Sequence, residues 1–147
     1  MIRAFTKEDK ESLLKLLDLN TPQYFDSSEK EDFIDYLENQ TEDYFVVIEQ
    51  NQIIGCGGIN YFNNQKEARI SWDMIHPEFH GKGVGKKLMN HRLHVINNHK
   101  NIDHIVVRTS QFVHLFYEKM GFKLQRIEKD FWAKGIDMYF MTKENSI

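Results

Sequence analysis

The stretch HPEFHGKGVGKKLMNHR, residues 76–92, joins a strand-like segment to an amphipathic helix through closely spaced glycines. Gly81, Gly83 and Gly85 stand at alternate positions where the helical pattern begins. A helix N-terminus exposes about four unpaired N–H groups and a partial positive charge, and glycines allow an anion to approach that backbone closely. Four basic side chains add positive charge to the same segment: Lys82, Lys86, Lys87 and Arg92. The stretch therefore predicts a phosphate-binding turn.

The spacing of the glycines separates this turn from two common phosphate motifs. A P-loop requires GxxxxGK followed by Ser or Thr, but counting back from Gly85 and Lys86 puts His80 at the first position and Lys87 at the last. A dinucleotide fingerprint requires GxGxxG and an acidic residue about twenty residues later, and the chain does not match that pattern well. Glycine-rich turns between a strand and a helix also have purely structural uses.

A second informative stretch, IVVRTSQFVHLFYEKMGF, occupies residues 105–122. It begins with a β-branched strand, continues through Thr109 and Ser110 as helix-start signals, and ends a short helical segment at Gly121. The pattern predicts a strand followed by a short helix.

Together the two stretches resemble the GCN5-related N-acetyltransferase (GNAT) superfamily. The acyl-CoA pyrophosphate loop of that family reads Gln or Arg, two residues, Gly, one residue, Gly or Ala, and His80, Gly83 and Gly85 occupy those positions with His in place of Gln or Arg. The second family signature is a helix that carries Tyr before a Gly-Phe pair, and FYEKMGF at residues 116–122 matches it. Ser110 stands where the family often has Asn.

The resemblance covers nearly the whole chain and implies an α/β fold in a single domain, residues 1–147. The implied fold has a mixed, mostly antiparallel sheet of about seven strands, flanked by about four helices and with a splayed central strand pair. Hydrophobic periodicity predicts elements in the matching order. The predicted strands are residues 2–5, 44–49, 53–61, 67–75, 102–107, 123–132 and 136–142, and the longest predicted helix is 84–96. Thr6 is predicted to cap the first helix, and Ser28 with Glu31 to form a capping box for the second.

Acetyl-CoA is the acyl donor that the resemblance implies. In that fold the pantetheine arm lies between the strand ending near Ile75 and the strand ending near Arg108, where it pairs with backbone groups of Met74 and Ile75. Ser110 is expected to lie beside the arm. The pyrophosphate is expected at the glycine turn, in contact with His80, Gly81, Lys82, Gly83, Val84, Gly85 and Lys86.

Acetyl transfer requires an acid for the departing thiolate, and a tyrosine hydroxyl can supply one. Tyr117, in the second family signature, is predicted to be this general acid. The alternative is that Tyr117 only flanks a buried helix face. That face would consist of Phe112, Leu115, Phe116 and Met120. A backbone N–H on the Met74 side of the splay is expected to stabilise the oxyanion.

The general base is less well defined by the pattern. Glu67 and Asp73 lie on the strand that leads into the site, and His76 follows the end of that strand. Each can accept a proton. Each is also typical of a solvated strand edge, and Asp73 is preferred among the three.

Histidine and cysteine offer two further kinds of site. Among the clustered histidines His91, His94, His99 and His104, only the first two share a helical face, and no carboxylate or cysteine stands at a matching offset. No metal site is therefore predicted. Cys56, in the run GCGG, could be a nucleophile, but a small residue in a strand whose glycines mark a bulge is the preferred interpretation.

Composition suits a small enzyme. The chain has 147 residues, 41% of them hydrophobic, and a formal net charge of −3, which does not favour nucleic acid as the main partner. With one cysteine, no evident signal peptide and no long apolar run, a cytoplasmic protein without a membrane partner is expected. Either a monomer or a homodimer paired through the terminal hairpin is compatible with the pattern.

The predicted activity is transfer of acetyl from acetyl-CoA to a primary amine of a small molecule or peptide, by direct attack in a ternary complex. The family resemblance implies an acceptor groove built from residues 19–28 and 130–138. Asp26, Glu29, Asp130 and Asp137 make that region acidic, which favours a cationic amine. Three alternatives stay open: a non-catalytic acyl-CoA-binding module, an interaction protein on the same scaffold, and a transferase for longer acyl chains.

Overall fold

The computed structural model describes residues 1–145, which form one mixed sheet flanked by helices. The strands are β1 Ile2–Ala4, β2 Asp43–Glu49, β3 Gln52–Phe62, β4 Glu67–Ile75, β5 His104–Thr109, β6 Lys123–Ala133 and β7 Ile136–Glu144. The α-helices are α1 Lys10–Leu19, α2 Lys30–Asn39, α3 Val84–Asn97 and α4 His114–Lys119. The strand order is β1-β2-β3-β4-β5-β7-β6, and β4 with β5 is the parallel pair among otherwise antiparallel neighbours. The predicted fold class is confirmed.

The helices cover the sheet through two large apolar clusters, one for each helix pair. Leu13 and Leu17 of α1 and Phe33 of α2 pack with strand side chains such as Val46 and Met74. The other cluster joins Met89 and Ile96 of α3 and Tyr117 of α4 to side chains of the central strands, among them Ile59, Ala68, Ile70, Ile105 and Val107. Within residues 1–145, no helix combines the length and the apolar character needed to cross a bilayer.

The start of the second helix differs from the sequence prediction. The capping box is formed by Asp26 and Glu29 rather than by Ser28 and Glu31. Asp26 accepts the N–H of Ser28 at 3.0 Å, and the Glu29 carboxylate accepts the N–H of Asp26 at 2.9 Å. The predicted box is wrong because a 3-10 turn over Ser27–Glu29 precedes α2, so the helical backbone begins earlier than the apolar stripe indicates.

The central strands β4 and β5 separate after a short paired region. Their parallel register runs from Glu67 opposite His104 to Ile70 opposite Val107, and both strands continue beyond it without pairing to each other. A β-bulge lies in the unpaired part of β4, where the register with β3 shifts and Trp72 adopts a φ of 48°. Because a bulge bends its strand and increases its twist, it accounts for the splay of β4 away from β5.

Candidate active site

A cleft of about 970 Å³ passes through the splay between β4 and β5. At one end it is bordered by the start of α3, and at the other it opens between α2 and the sheet. It is lined by all but one of the residues predicted for the site: Asp73, Met74, Ile75, His80, Gly81, Gly83, Val84, Gly85, Lys86, Ser110 and Tyr117. The exception is Lys82, whose Nζ lies 5.4 Å from the centroid of the Phe79 ring.

The N-terminus of α3 presents free backbone donors to the cleft. Gly83 is the N-cap residue, with a φ of 83°, and its carbonyl accepts the N–H of Lys87 at 3.1 Å. That bond is the first of the helix, so the N–H groups of residues 83–86 have no partner within it. A Cβ on Gly85 would lie 3.3 Å from the Phe116 ring, so this glycine permits a close approach between α3 and α4. The geometry suits a phosphate group.

The edge of β4 that faces the splay is defined by its pairing with β3. The N–H of His76 donates to the carbonyl of Ile54 at 2.7 Å, on the β3 side. Because backbone groups alternate along an antiparallel ladder, Ile75 directs its N–H and C=O toward the splay and Met74 directs its own toward β3. The expected backbone contact from Met74 is therefore corrected: its side chain is buried against α1 and α2, and Ile75 supplies the exposed pair of groups.

Tyr117, Asp73 and Arg92 form a connected polar group in the wall of the cleft. The buried Tyr117 hydroxyl donates to Oδ2 of Asp73 at 2.6 Å. Arg92, on α3, donates to both oxygens of the same carboxylate, with Nη2 at 2.9 Å from Oδ2, and its Nη1 also donates to the Gly58 carbonyl at 3.2 Å. A Cβ on Gly57 would overlap Oδ1 of Asp73, so the ion pair occupies the space that this glycine leaves.

The chain that forms this cleft was compared with known protein families. The family profile described as Acetyltransferase (GNAT) domain matches residues 8–145. The chain belongs to the GNAT acetyltransferase family.

Individual GNAT relatives differ in how much of the chain they match. An N-alpha-acetyltransferase of Saccharolobus solfataricus is 25% identical over 159 positions, covering 97% of this chain and 91% of that protein. A spermidine N(1)-acetyltransferase of Vibrio cholerae is 35% identical over 109 positions, which is 68% of this chain and 61% of that protein. An amino-acid acetyltransferase of Photobacterium profundum is 29% identical over 93 positions, and the chain spans only 21% of its length.

A solved GNAT structure has the same architecture. An aminoglycoside 6'-N-acetyltransferase complexed with coenzyme A superposes with a TM-score of 0.79, covering 100% of this chain and 98% of that one at 16% identity. At that identity the likeness shows the fold.

The His80 side chain contacts the backbone of β4 and a tyrosine of the loop after α1. Its Nε2 is 2.8 Å from the carbonyl of Ile75, and its ring packs edge-on against Tyr24 at 5.2 Å between centroids. The side chain is thus hydrogen-bonded to the backbone carbonyl that was expected to pair with the pantetheine arm. An arm that pairs there must displace it.

Burial raises the pKa of the Tyr117 hydroxyl well above its usual value, and the negative charge of Asp73 raises it further. The hydroxyl therefore keeps its proton at neutral pH. A protonated hydroxyl in the lining of the cleft is compatible with the predicted role of acid. Packing is the second function of the residue, because its ring belongs to the core cluster beneath α3 and α4.

Of the three base candidates, Asp73 alone lines the cleft. Glu67 lies at the far end of β4, bonded to Arg69 and to His104. The Nδ1 of His76 accepts the N–H of Glu78 at 3.1 Å. Asp73 itself is engaged by Arg92 and Tyr117, and a base needs a lone pair directed at the amine, so its geometry favours a positioning role.

Arg92 was expected to add charge to the phosphate turn, and this expectation is wrong. Its side chain is 1% exposed and forms an ion pair with Asp73 of β4. A signal for this exists in the sequence: Arg92 stands four residues from both Leu88 and Ile96, on the buried stripe of α3. A charge within an apolar stripe requires a buried partner.

The other nucleophile and metal candidates do not contribute to the cleft. Cys56 is fully buried with its Sγ 3.3 Å from the Tyr44 hydroxyl, and burial raises the pKa of the thiol to about 12. The thiol is thus inert as a nucleophile at neutral pH. Among residues 1–145, no group of three His, Cys, Asp or Glu side chains is arranged to hold a metal ion.

Proposed function

We propose that this GNAT domain is an acetyl-CoA-dependent N-acetyltransferase that acetylates a primary amine of a small molecule or peptide. The observation that carries the proposal is the continuity of the cleft. It joins the free N–H groups at the start of α3 to the Tyr117 hydroxyl and then to an open space between α2 and the sheet. A donor and an acceptor can therefore meet at the splay from opposite sides.

The names of the relatives support an amine acceptor. They include amino-acid, N-alpha- and spermidine N(1)-acetyltransferases, which share transfer to an amine and differ in the acceptor. The coenzyme A in the solved aminoglycoside 6'-N-acetyltransferase supports an acyl-CoA donor.

Direct attack in a ternary complex assigns a role to each part of the cleft. The α3 N-terminus binds the pyrophosphate, and the splayed edge of β4 holds the arm through the carbonyl of Ile75, from which the arm displaces His80. The amine attacks the thioester carbonyl, a C–N bond forms, and the C–S bond breaks. The amine releases one proton to water at the open end of the cleft, and the departing thiolate takes the hydroxyl proton of Tyr117. The tyrosinate then regains a proton from water, which restores the acid. The N–H of Ile75 faces the splay, which supports a role for it in stabilising the oxyanion.

Asp73 and Arg92 keep the acid in place in this mechanism. The Tyr117 hydroxyl rests on Asp73, and the guanidinium of Arg92 neutralises that carboxylate. When the thiolate forms, the hydroxyl proton has only to rotate from the carboxylate toward sulfur. This assignment replaces the general-base role that the sequence favoured for Asp73.

The first test is a calorimetric titration of the protein with acetyl-CoA, with ATP and NAD as controls. We expect saturable binding of acetyl-CoA alone. The variant Gly83→Glu should abolish it by placing bulk and negative charge at the α3 N-terminus. Gly135→Glu is the matched control, because Gly135 has a φ of 84° against 83° for Gly83 but lies at the terminal hairpin.

Turnover is tested by incubating an amine panel with protein and acetyl-CoA and detecting the acetylated amine by mass spectrometry. Binding without any acetylated product would contradict the proposal and favour a non-catalytic acyl-CoA-binding module. A chain-length series of acyl-CoA donors would reveal a preference for a longer acyl group.

A further inference from the structure

The open end of the cleft has two arginines on its sheet side. Arg69 of β4 and Arg108 of β5 both line it. Arg69 is the parallel partner of Val106, so Arg108, two residues further along β5, lies on the same face of the sheet. Arg108 is also the first residue of β5 beyond the paired region, which places it where the splay begins.

Arg69 is anchored by one edge of its guanidinium. Its Nε donates to Glu67, and the guanidinium carbon lies 3.9 Å from the centroid of the Phe62 ring. In residues 1–145, the structure gives its two terminal nitrogens no hydrogen-bond acceptor. The edge of the guanidinium that carries the two terminal nitrogens is thus available to a ligand.

Arg108 has no ion pair or side-chain hydrogen bond in the described part of the chain. Its guanidinium carbon lies 5.4 Å from the Phe131 ring and 5.7 Å from the Trp132 ring. Trp132 is held beside it by a 3.0 Å bond from Nε1 to the Thr109 carbonyl. Desolvation lowers the pKa of Arg108, and the charge of Arg69 lowers it further. An oxyanion bound between the two guanidinium groups would offset the repulsion between their charges.

The carboxylates expected to face the acceptor are mostly occupied elsewhere. Asp130 accepts the N–H of Gly135 at 2.7 Å and Asp137 accepts the N–H of Asp130 at 2.9 Å, so both stabilise the terminal hairpin. Asp26 caps the turn before α2. Of the four predicted carboxylates, Glu29 alone lines the cleft, and its burial raises the pKa of that carboxyl. Asp32 of α2 also lines the cleft, so Glu29 and Asp32 share it with the two arginines, and an acidic acceptor groove stays a prediction.

We infer that Arg69 and Arg108 bind an oxyanion of the acceptor, so the acceptor is a primary amine that also carries a carboxylate or a phosphate group. The inference rests on the proposed function. An arginine fork matches the planar carboxylate and the phosphate alike. Arg108 is the first residue of β5 beyond its pairing with β4, so an anion bound there lies beside the splay where donor and acceptor would meet.

The test uses paired probes that differ in the anionic group. β-Alanine with β-alaninamide tests a carboxylate, and O-phosphoethanolamine with ethanolamine tests a phosphate. Each probe is titrated by calorimetry into protein saturated with coenzyme A. We expect at least one anionic probe to bind ten-fold or more tightly than its neutral partner, and Arg108→Gln and Arg69→Gln each to reduce that preference several-fold.

Arg126→Gln is the matched control. Arg126 is an arginine of β6 that lies over the Phe140 ring at 4.1 Å and does not line the cleft, so its removal changes the net charge equally. We expect it to keep the preference. All three variants should retain acetyl-CoA affinity within about two-fold, which shows that they are folded.

Several results would overturn the inference. Equal binding of anionic and neutral probes, or no binding of any, overturns the inference. An equal loss of preference in Arg126→Gln overturns it too, because a general field would then be responsible. Acetylation of the probes is measured separately by mass spectrometry: absence of every acetylated product counts against the proposed function, whereas acetylation without an anionic preference counts against this inference alone.

Discussion

The hydroxyl of Tyr117 donates to Oδ2 of Asp73 at 2.6 Å, across the point where β4 and β5 separate. The two residues are 44 positions apart in the chain. Their contact joins the second family signature to the bulged strand. Arg92 of α3 neutralises the same carboxylate. Side chains of α3, α4 and β4 therefore share one hydrogen-bonded group.

Tyr117→Phe should lower kcat by about 100-fold or more, since a positioned acid commonly contributes 10²–10⁴-fold. Affinity for acetyl-CoA should stay the same, because the pyrophosphate contacts that we propose are at α3. Steady-state kinetics and calorimetry on the same preparation check both. Tyr139→Phe is the control for a tyrosine of the sheet outside the cleft. An unaltered kcat in Tyr117→Phe would mean that another group protonates the thiolate.

The pH profile should lack a descending limb from Tyr117 below about pH 10, the usual tyrosine pKa. Burial and Asp73 raise the pKa of this hydroxyl, so it stays protonated through that range and remains an acid. The rate should increase with pH as the acceptor amine loses its proton. We would measure kcat from pH 6 to 10 with saturating substrates. A descending limb below pH 10 that disappears in Tyr117→Phe would contradict the raised pKa, although it would support Tyr117 as the acid.

Asp73→Asn should destabilise the fold by about 3–5 kcal/mol, because it leaves the buried guanidinium of Arg92 without its carboxylate. The double variant Asp73→Asn/Arg92→Met should recover much of that loss, since it also removes the charge. Urea unfolding measures both. Asp103→Asn is the control at an exposed carboxylate, where a change below about 1 kcal/mol is expected. A single variant as stable as the parent would show that the pair contributes little to the fold.

Gly57→Ala should cost about 1–3 kcal/mol by overpacking the ion pair, because a Cβ there would overlap Asp73 and lie 2.8 Å from Nη1 of Arg92. Gly55→Ala is the comparison within the same strand, where the Cβ would meet the flexible end of Ile75 at 2.9 Å. We expect Gly57→Ala to have the larger loss in unfolding free energy and the larger fall in kcat. Equal losses would mean that the space beside Asp73 is not restrictive.

Much of the fold is readable from local patterns. Alternating glycines at 81, 83 and 85, the run FYEKMGF and the hydrophobic periods are all properties of short segments, and the predicted strand and helix order is confirmed. The predictions were wrong where a neighbouring turn or strand determines the start of a helix or the direction of a backbone group. The capping box lies earlier than predicted because a 3-10 turn precedes α2. The backbone groups of Met74 face β3 rather than the splay because Met74 pairs with that strand.

The sequence by itself determined the elements, their order and the family, because helix starts, turns and periodic burial depend on residues close together in the chain. Tertiary structure decided which side chains meet. The bulge at Trp72 directs Asp73 toward Arg92 and Tyr117, and the parallel register places Arg69 and Arg108 on one face. Such contacts depend on strand register and on the direction of each side chain, and these are set only when distant segments pack together.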